Sequence, residues 1–125
     1  MGKQTIMDKE MNKSKMEKWN SQLRKGILDF IILLYLSKKE YYGYELISKI
    51  NDSIDLRLSE GTIYPLLNRL NHEKLINSKW VEMERGIPRK YYTISKEGLD
   101  TLALMKEEWR DFSEQIALLV RRVEK

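Results

Sequence analysis

One stretch of thirteen residues, 58–70, constrains the fold of this chain more than any other segment. Its apolar residues recur at helical spacing on a single face, which predicts a short amphipathic helix. These residues are Ile63, Leu66, Leu67 and Leu70. Ser59 stands at the N-cap position, and Glu60 places a carboxylate at the positive end of the helix dipole. Pro65 removes one backbone donor, but it lies close to the helix start, where the strain is most easily absorbed.

The opposite face of this helix is polar in an unusual way. It carries short hydrogen-bonding groups, one phenol and one guanidinium, in place of the long acidic side chains of an ordinary solvated helix. These residues are Thr62, Tyr64, Asn68 and Arg69. Such side chains suit contacts with phosphates and base edges. The stretch is therefore predicted to be the recognition helix of a DNA-binding domain.

Length and composition limit what the chain can be. With 125 residues it is expected to form one domain, with or without an extension. The longest apolar run, 27–36, is interrupted by Asp29 and is too short to cross a bilayer. No signal-peptide pattern opens the sequence and it contains no cysteine, so a cytoplasmic location is expected. The net charge of +4 permits binding to a polyanion without proving it.

The N-terminal part divides into an arm and a first helix. Residues 1–17 show no sustained period and are expected to form a loose, solvated arm, with helix only near its end. An apolar stripe that begins at Trp19 predicts one long central helix, which ends near Leu36. Gly43 introduces a second helix, 44–51, which would support the recognition helix. Cations at the leading end of the first helix either contact phosphates or are merely solvated: Lys13, Lys15, Lys18, Arg24 and Lys25.

The middle of the chain predicts a turn followed by a hairpin. The polar stretch 51–57 suits the turn of a helix-turn-helix. Residues 76–83 and 90–95 are rich in aromatic and β-branched residues and predict two strands, with 84–89 as a loop with a basic tip. Three helices and a basic hairpin predict a winged helix-turn-helix at 18–95, in which the third helix enters the major groove and the hairpin follows the backbone. The fold class is α+β, mainly α.

The last segment, 96–125, predicts a long helix with a seam. Ser95 can cap it, and no further proline follows. Apolar residues along the helix alternate spacings of three and four, which is typical of a heptad seam. These residues are Leu102, Met105, Trp109, Phe112, Ile116, Leu119 and Val123. Because the preceding domain already has a core, the seam is predicted to dimerise rather than to fold back on its own domain.

These residues together resemble the PadR family of bacterial transcriptional regulators, in particular its short members with a single C-terminal helix. The Gly-Thr-Ile-Tyr-Pro motif at 61–65 is the most specific part of the match. The remaining matched segments are 23–29, 42–46, 66–67, 69–70, 75–76, Gly86, 89–92 and 97–98. Asn71 and Lys74 depart from the family pattern, since an acid is common at the first position and glycine at the second. Lys74 is expected to take a left-handed turn at modest cost.

The resemblance implies a homodimer that binds a palindromic operator, usually as a repressor, and that in many members releases it when a small molecule binds. In short members with a drug-binding role, aromatic residues of the last helix and apolar residues of the first helix line a pocket at the dimer centre. The candidate ligand-binding residues are Trp109, Phe112, Met105, Trp19 and Met16. An aromatic and methionine seam of this kind is equally the core of an ordinary interface. Both interpretations are open at this point.

For DNA contact, the recognition helix and the hairpin supply the candidates. They are Ser59, Thr62, Tyr64, Asn68, Arg69, Arg85, Arg89 and Lys90. Thr62 and Asn68 are placed for base edges, whereas Tyr64 and the hairpin cations suit phosphates. No catalytic, metal or cofactor site is expected, since the single histidine, His72, lies at the end of the recognition helix. The alternative function is a winged-helix module that binds protein partners and no operator.

Overall fold

The computed structural model describes residues 2–125, with side chains from Thr5 onwards. Five helices and three short strands follow one another in the order of a winged helix-turn-helix with a long final helix. The elements are α1 (Gly2–Lys25), α2 (Leu28–Leu36), β1 (Tyr41–Tyr42), α3 (Gly43–Ser53), α4 (Glu60–His72), β2 (Ile76–Val81), β3 (Arg89–Ile94) and α5 (Lys96–Val123). The predicted fold class is confirmed, including the recognition helix α4, the hairpin and the long last helix.

The core lies where α2, α3 and α4 meet the inner face of the sheet. Helix α2 is apolar on nearly every side, so it is surrounded by the other elements rather than lying on the surface. Helices α3 and α4 each bury one face. The fully buried large side chains are Ile32, Leu33, Leu46, Ile50, Ile63, Leu67, Leu70 and Ile76. This packing fixes α4 on the domain and leaves its opposite face exposed.

The sheet has three antiparallel strands in the order β1-β3-β2. In the wing, Ile76 pairs with Ile94 and Val81 pairs with Arg89, so the loop between the strands spans 82–88. The sequence did not predict β1, because two residues are too few to show an alternating pattern. Strand β1 exists because β3 offers its free edge to the segment that precedes α3.

Residues 2–17, most of which were predicted to be a loose arm, are helical, and Met1 lies outside the described residues. Helix α1 is continuous from Gly2 to Lys25, since no glycine or proline interrupts residues 3–25 and Lys, Met, Glu and Gln are strong helix formers. The single first helix predicted from Trp19 to Leu36 was also wrong, because the chain turns at Gly26 and Ile27. As a result Trp19 is 55% exposed instead of continuing the core stripe.

As predicted, Lys74, two residues after the end of α4, takes the left-handed backbone conformation (φ 67°). The amide of Lys74 donates to Asn71 and the amide of Leu75 donates to Leu70, which is the hydrogen-bond pattern of a Schellman cap. This turn leads the chain directly from α4 into β2.

The start of α5 is fixed to the end of α4. The Ser95 hydroxyl accepts from the amide of Gly98 at 3.0 Å, so the predicted cap is confirmed, and it also donates to the Lys74 carbonyl at 2.7 Å. A Cβ atom on Gly98 would lie 2.0 Å from the carbonyl oxygen of Leu75, a distance that only glycine permits. None of the helices in residues 2–125 has both the length and the apolar character needed to span a membrane.

Candidate nucleic-acid interface

The turn before α4 is held by one side chain. The Asn51 amide group donates to the Leu58 carbonyl at 2.9 Å, and its oxygen accepts from the Leu58 amide at 2.8 Å. These two bonds fix where α4 begins relative to α3. Within this turn, Ile54 is 38% exposed, whereas Leu56 packs against the core. Asn51 was not among the predicted functional residues, although asparagine at a turn is a recognisable signal.

The outward face of α4 carries free polar groups. Thr62 and Asn68 are exposed, and Asn68 forms no hydrogen bond with any residue that the structure describes. Ser59 is the N-cap residue, but its hydroxyl contacts the Thr62 hydroxyl at 3.2 Å rather than a backbone amide of the first turn. The helix therefore presents hydrogen-bonding groups to solvent close to its own N-terminus. Such groups can meet base edges or phosphates.

Arg69 is already engaged within the domain. Its guanidinium donates to Asp29 on α2 at 2.7 Å and to Glu73 at 3.0 Å. The hydrogen bond with Asp29, followed by the one with Glu73, raises the pKa of Arg69, which keeps the guanidinium charged. In this arrangement the side chain of Arg69 joins α4 to α2. Because this side chain is 49% exposed, only part of it is accessible to a binding partner. No pattern in the sequence indicated this pair, because its members lie 40 residues apart.

Tyr64 packs against the start of α3. A Cβ atom on Gly43 would lie 2.6 Å from the Tyr64 ring, so the close approach requires glycine at that position. Burial, followed by the negative charge of Glu60, raises the pKa of Tyr64. The ring therefore supports α4 while part of the side chain is accessible for a phosphate contact.

The wing differs from the predicted basic tip. Its loop, 82–88, contains one cation, Arg85, and two glutamates. Arg89 and Lys90 lie in β3 itself and, as neighbours in a strand, point to opposite faces. Arg89 lies 4.5 Å from the centre of the Tyr42 ring. Its neighbour approaches two other rings, since the ammonium of Lys90 lies 5.7 Å from the centre of the Trp80 ring and 5.8 Å from that of Tyr92.

The predicted seam of α5 divides into two parts. Leu102 is 2% exposed and belongs to the core of its own domain, so it is not available to a second chain, and Met105 packs against that core. The other five residues of the seam lie on the exposed part of the helix: Trp109, Phe112, Ile116, Leu119 and Val123. On α1, Met16 and Trp19 are likewise about half exposed. Of the candidate ligand-binding residues, the single chain therefore partly buries Met105 and leaves the other four exposed.

Comparison with known proteins identifies the family. The sequence profile of the transcriptional regulator PadR-like family matches residues 32–104, from α2 into the first turns of α5. The chain belongs to the PadR-like family. The PadR match covers the second half of α2, all of α3, α4 and the wing, and the anchored start of α5. Helix α1 lies outside it.

Solved PadR structures agree with the fold. A PadR-like transcriptional regulator from Bacillus cereus is 42% identical, with a TM-score of 0.73 over 80% of this chain and 97% of that one. A PadR family regulator from Eggerthella lenta is 29% identical, with a TM-score of 0.75 over 86% of this chain and 90% of that one. A protein of Lysinibacillus sphaericus described as uncharacterised is 31% identical over 106 residues, which are 83% of this chain and 97% of that protein.

The PadR assignment settles the class of function. PadR regulators bind DNA, so this chain is a DNA-binding transcriptional regulator and not an enzyme. Within the part of the chain that the structure describes, no three His, Cys, Asp or Glu side chains are grouped in a way that could hold a metal ion.

Proposed function

We propose that this PadR-type regulator binds an inverted-repeat operator as a homodimer and represses transcription, and that a small molecule bound at the dimer interface releases it. The observation that carries the proposal is the exposed polar face of α4, where Asn68 has no hydrogen-bond partner among the described residues and the exposed Thr62 hydroxyl contacts only the Ser59 hydroxyl, so both side chains can meet base edges. We assign phosphate contacts to the wing cations Arg85, Arg89 and Lys90.

Dimerisation is supported by the exposed seam of α5. Trp109 is 42% exposed, Phe112 57% and Leu119 52%, and together with Ile116 they form an apolar stripe on one side of the helix. A contiguous apolar surface of this kind is unfavourable in water and is typical of an interface. Two copies related by a twofold axis would place two α4 helices in successive major grooves, about one helical turn apart.

An effector site is supported by the same aromatic residues. Flat, apolar or cationic molecules stack on indole rings and adapt to methionine side chains. We assign this role to Trp109, Phe112 and Met105, with Trp19 and Met16 from α1. Binding of proflavine, a flat aromatic cation, should quench tryptophan fluorescence in a saturable way, and in Trp109→Phe this quenching should decrease to the part contributed by Trp19.

The matched control for the effector site is Trp80→Phe, which removes an indole from the wing. Quenching that persists in Trp109→Phe but disappears in Trp80→Phe would place the ligand on the wing and remove the interface site. Sedimentation analysis of both variants checks that each has the same oligomeric state as the parent protein.

The DNA-binding proposal is tested by selecting bound duplexes from a random pool and titrating the winning sequence with salt against a scrambled version. An enriched inverted repeat that outcompetes its scramble at physiological salt is expected for a sequence-specific dimer. Equal, weak binding of both duplexes with the same salt dependence would contradict it, since that is the behaviour of non-specific charge attraction. In vitro transcription from a promoter that overlaps the selected site should then decrease when the protein is added.

A further inference from the structure

A cavity of about 400 Å³ lies between the end of α1 and the turn that precedes the recognition helix. Its walls come from Asn20, Ser21 and Arg24 on α1, from the turn residues 55–58, and from Thr62 on α4. This volume falls within the range of small-ligand sites. None of the residues assigned above to the dimer seam or to the effector contributes to it.

Arg24 is the unusual residue of this cavity. Its side chain is partly buried, and its Nε donor is shielded from solvent without an acceptor among the described residues. The side chains of Arg24 and its neighbour Lys25 form no hydrogen bond or ion pair with the described residues. A buried donor without a partner is unfavourable, and an acceptor bound at the guanidinium would relieve that cost. The planar guanidinium fork matches phosphate oxygens in particular.

The charges around the cavity favour an anion. Three cations, Arg24, Lys25 and Arg57, face two carboxylates, Glu17 and Asp55. Asp55 is already paired with Arg57, at 3.6 Å. An excess of one positive charge suits an anion of low charge, and Asn20, Ser21 and Thr62 add neutral hydrogen-bonding groups.

The turn that forms one wall is held in place before any ligand arrives. Both bonds between Asn51 and Leu58 clamp its end, and the amide of Leu56 donates to the Ile54 carbonyl at 2.8 Å. Arg57 lies in the left-handed region (φ 50°), which directs the backbone at that position away from a helical course. A wall fixed in this way reduces the ordering cost of binding.

We propose that this cavity binds a phosphate group, with Arg24 as its main contact and with Lys25 and Arg57 as supporting cations. The phosphate belongs either to the DNA backbone or to a free small molecule, because both present the same oxygens to the guanidinium. Since Thr62 lies on the cavity wall, occupancy is coupled to the recognition helix. Only this last coupling step rests on the proposed mode of DNA binding.

The test uses inorganic phosphate and the full chain, at constant ionic strength maintained with sodium chloride. Amide chemical shifts should change saturably at residues 20–25 and 55–62, and Arg24→Gln should weaken the affinity at least about tenfold because the forked, charged donor is removed. Arg110→Gln, on the exposed part of α5, is the matched control and should bind phosphate normally. Non-saturable shifts, or equal affinity in Arg24→Gln, would overturn the proposal.

Thermal unfolding of each variant shows whether the fold is intact. If Arg24→Gln is less stable than the parent, the double variant Lys25→Gln/Arg57→Gln carries the test instead, since both residues are exposed. This double variant should lower phosphate affinity by about threefold or more. Unchanged affinity in it, with Arg24→Gln unfolded, would also overturn the proposal.

A second arm identifies the source of the phosphate group. If it comes from the DNA backbone, a duplex abolishes the phosphate-induced shifts and Arg24→Gln weakens duplex binding. If it comes from a free molecule, phosphate and duplex bind together and Arg24→Gln leaves duplex affinity unchanged in the absence of phosphate. Both results support the site. A chain that binds phosphate but no duplex would contradict the proposed DNA-binding mode without affecting the first arm.

Discussion

The exposed faces of α4 and α5 differ in chemistry and in how firmly each helix is held. Helix α4 is fixed at its start by Asn51, in its middle by the pair of Arg69 and Asp29, and at its end by the cap at Lys74. Helix α5 is fixed only through its first turns, and its apolar seam beyond Met105 is exposed. A surface that contacts bases must be positioned by its own domain. In the proposed dimer, the second copy would position the exposed part of α5.

The anchorage of α5 can be broken at Gly98. Gly98→Ala places a methyl group against the Leu75 carbonyl, and we expect the free energy of unfolding to decrease by about 3 kcal/mol, the upper part of the range for overpacked sites. Chemical denaturation measures this change. Glu97→Ala, in the same turn but exposed, should be close to neutral. Equal stability of the two variants would mean that α5 is not fixed at this point.

The open part of α5 can be tested with two adjacent leucines. Leu119 lies on the seam and Leu118 lies outside it, although both are about half exposed. Leu119→Asp should raise the dimer dissociation constant at least about 30-fold, equivalent to about 2 kcal/mol, because a charge would enter an apolar interface. Leu118→Asp should leave the dimer intact. Sedimentation equilibrium distinguishes the two, and similar effects of both substitutions would argue against a specific seam.

Substitutions in the wing test the proposal that its cations contact DNA phosphates. Alanine at both Arg89 and Lys90 should weaken binding to all duplexes alike and reduce the slope of log affinity against log salt by about one unit for each phosphate that the wing no longer neutralises. The single variants Arg89→Ala and Lys90→Ala show which face of β3 contacts the DNA, because the two side chains point to opposite faces of the strand. Lys79→Ala, on the neighbouring strand and paired with Glu40, is the control. An unchanged slope in the double variant would exclude the wing from the interface.

The ion pair between Arg69 and Asp29, which holds the middle of α4, should contribute little to the free energy of unfolding. Because Arg69 is 49% exposed, Asp29→Asn is expected to cost roughly 0.5–1 kcal/mol, as solvent screens the pair. Glu73→Gln removes the other partner of Arg69 and should cost less, since that carboxylate is 44% exposed compared with 28% for Asp29. Denaturation measures both. A larger loss of stability in Glu73→Gln than in Asp29→Asn would mean that Arg69 stabilises α4 mainly through its pair with Glu73 and not by joining α4 to α2.

The smallest expected effect concerns alkaline stability. Burial, followed by the charge of Tyr64, raises the pKa of Tyr92 above its ordinary value of 10.0. Above that value the folded state binds more protons than the unfolded state, so the stability from Tyr92 is complete below pH 10.0 and is lost as the pH rises through the raised pKa. Tyr92→Phe should flatten this decrease in a denaturation series. The same flattening in Tyr44→Phe, an exposed control, would contradict it.

The sequence by itself determined the elements whose signals are local. The recognition helix, its left-handed end at Lys74, the cap at Ser95, the hairpin and the long last helix all follow from spacing or from one residue in a characteristic position. The family motif at 61–65 could also be recognised from the sequence, because its residues are contiguous. These features are readable because each depends on residues only a few positions apart.

Only the tertiary structure decided how these elements are used. It showed that Arg69 is paired with Asp29, that Leu102 belongs to the core rather than to the seam, and that Arg89 and Lys90 occupy opposite faces of a strand. It also separated α1 from α2 at Gly26 and brought Arg24 beside the turn before α4. The pairing of Arg69, the burial of Leu102 and the position of Arg24 all depend on residues distant in the chain. Periodicity shows which residues share one face of a helix or strand, whereas tertiary packing determines whether that face contacts the core, solvent or another element.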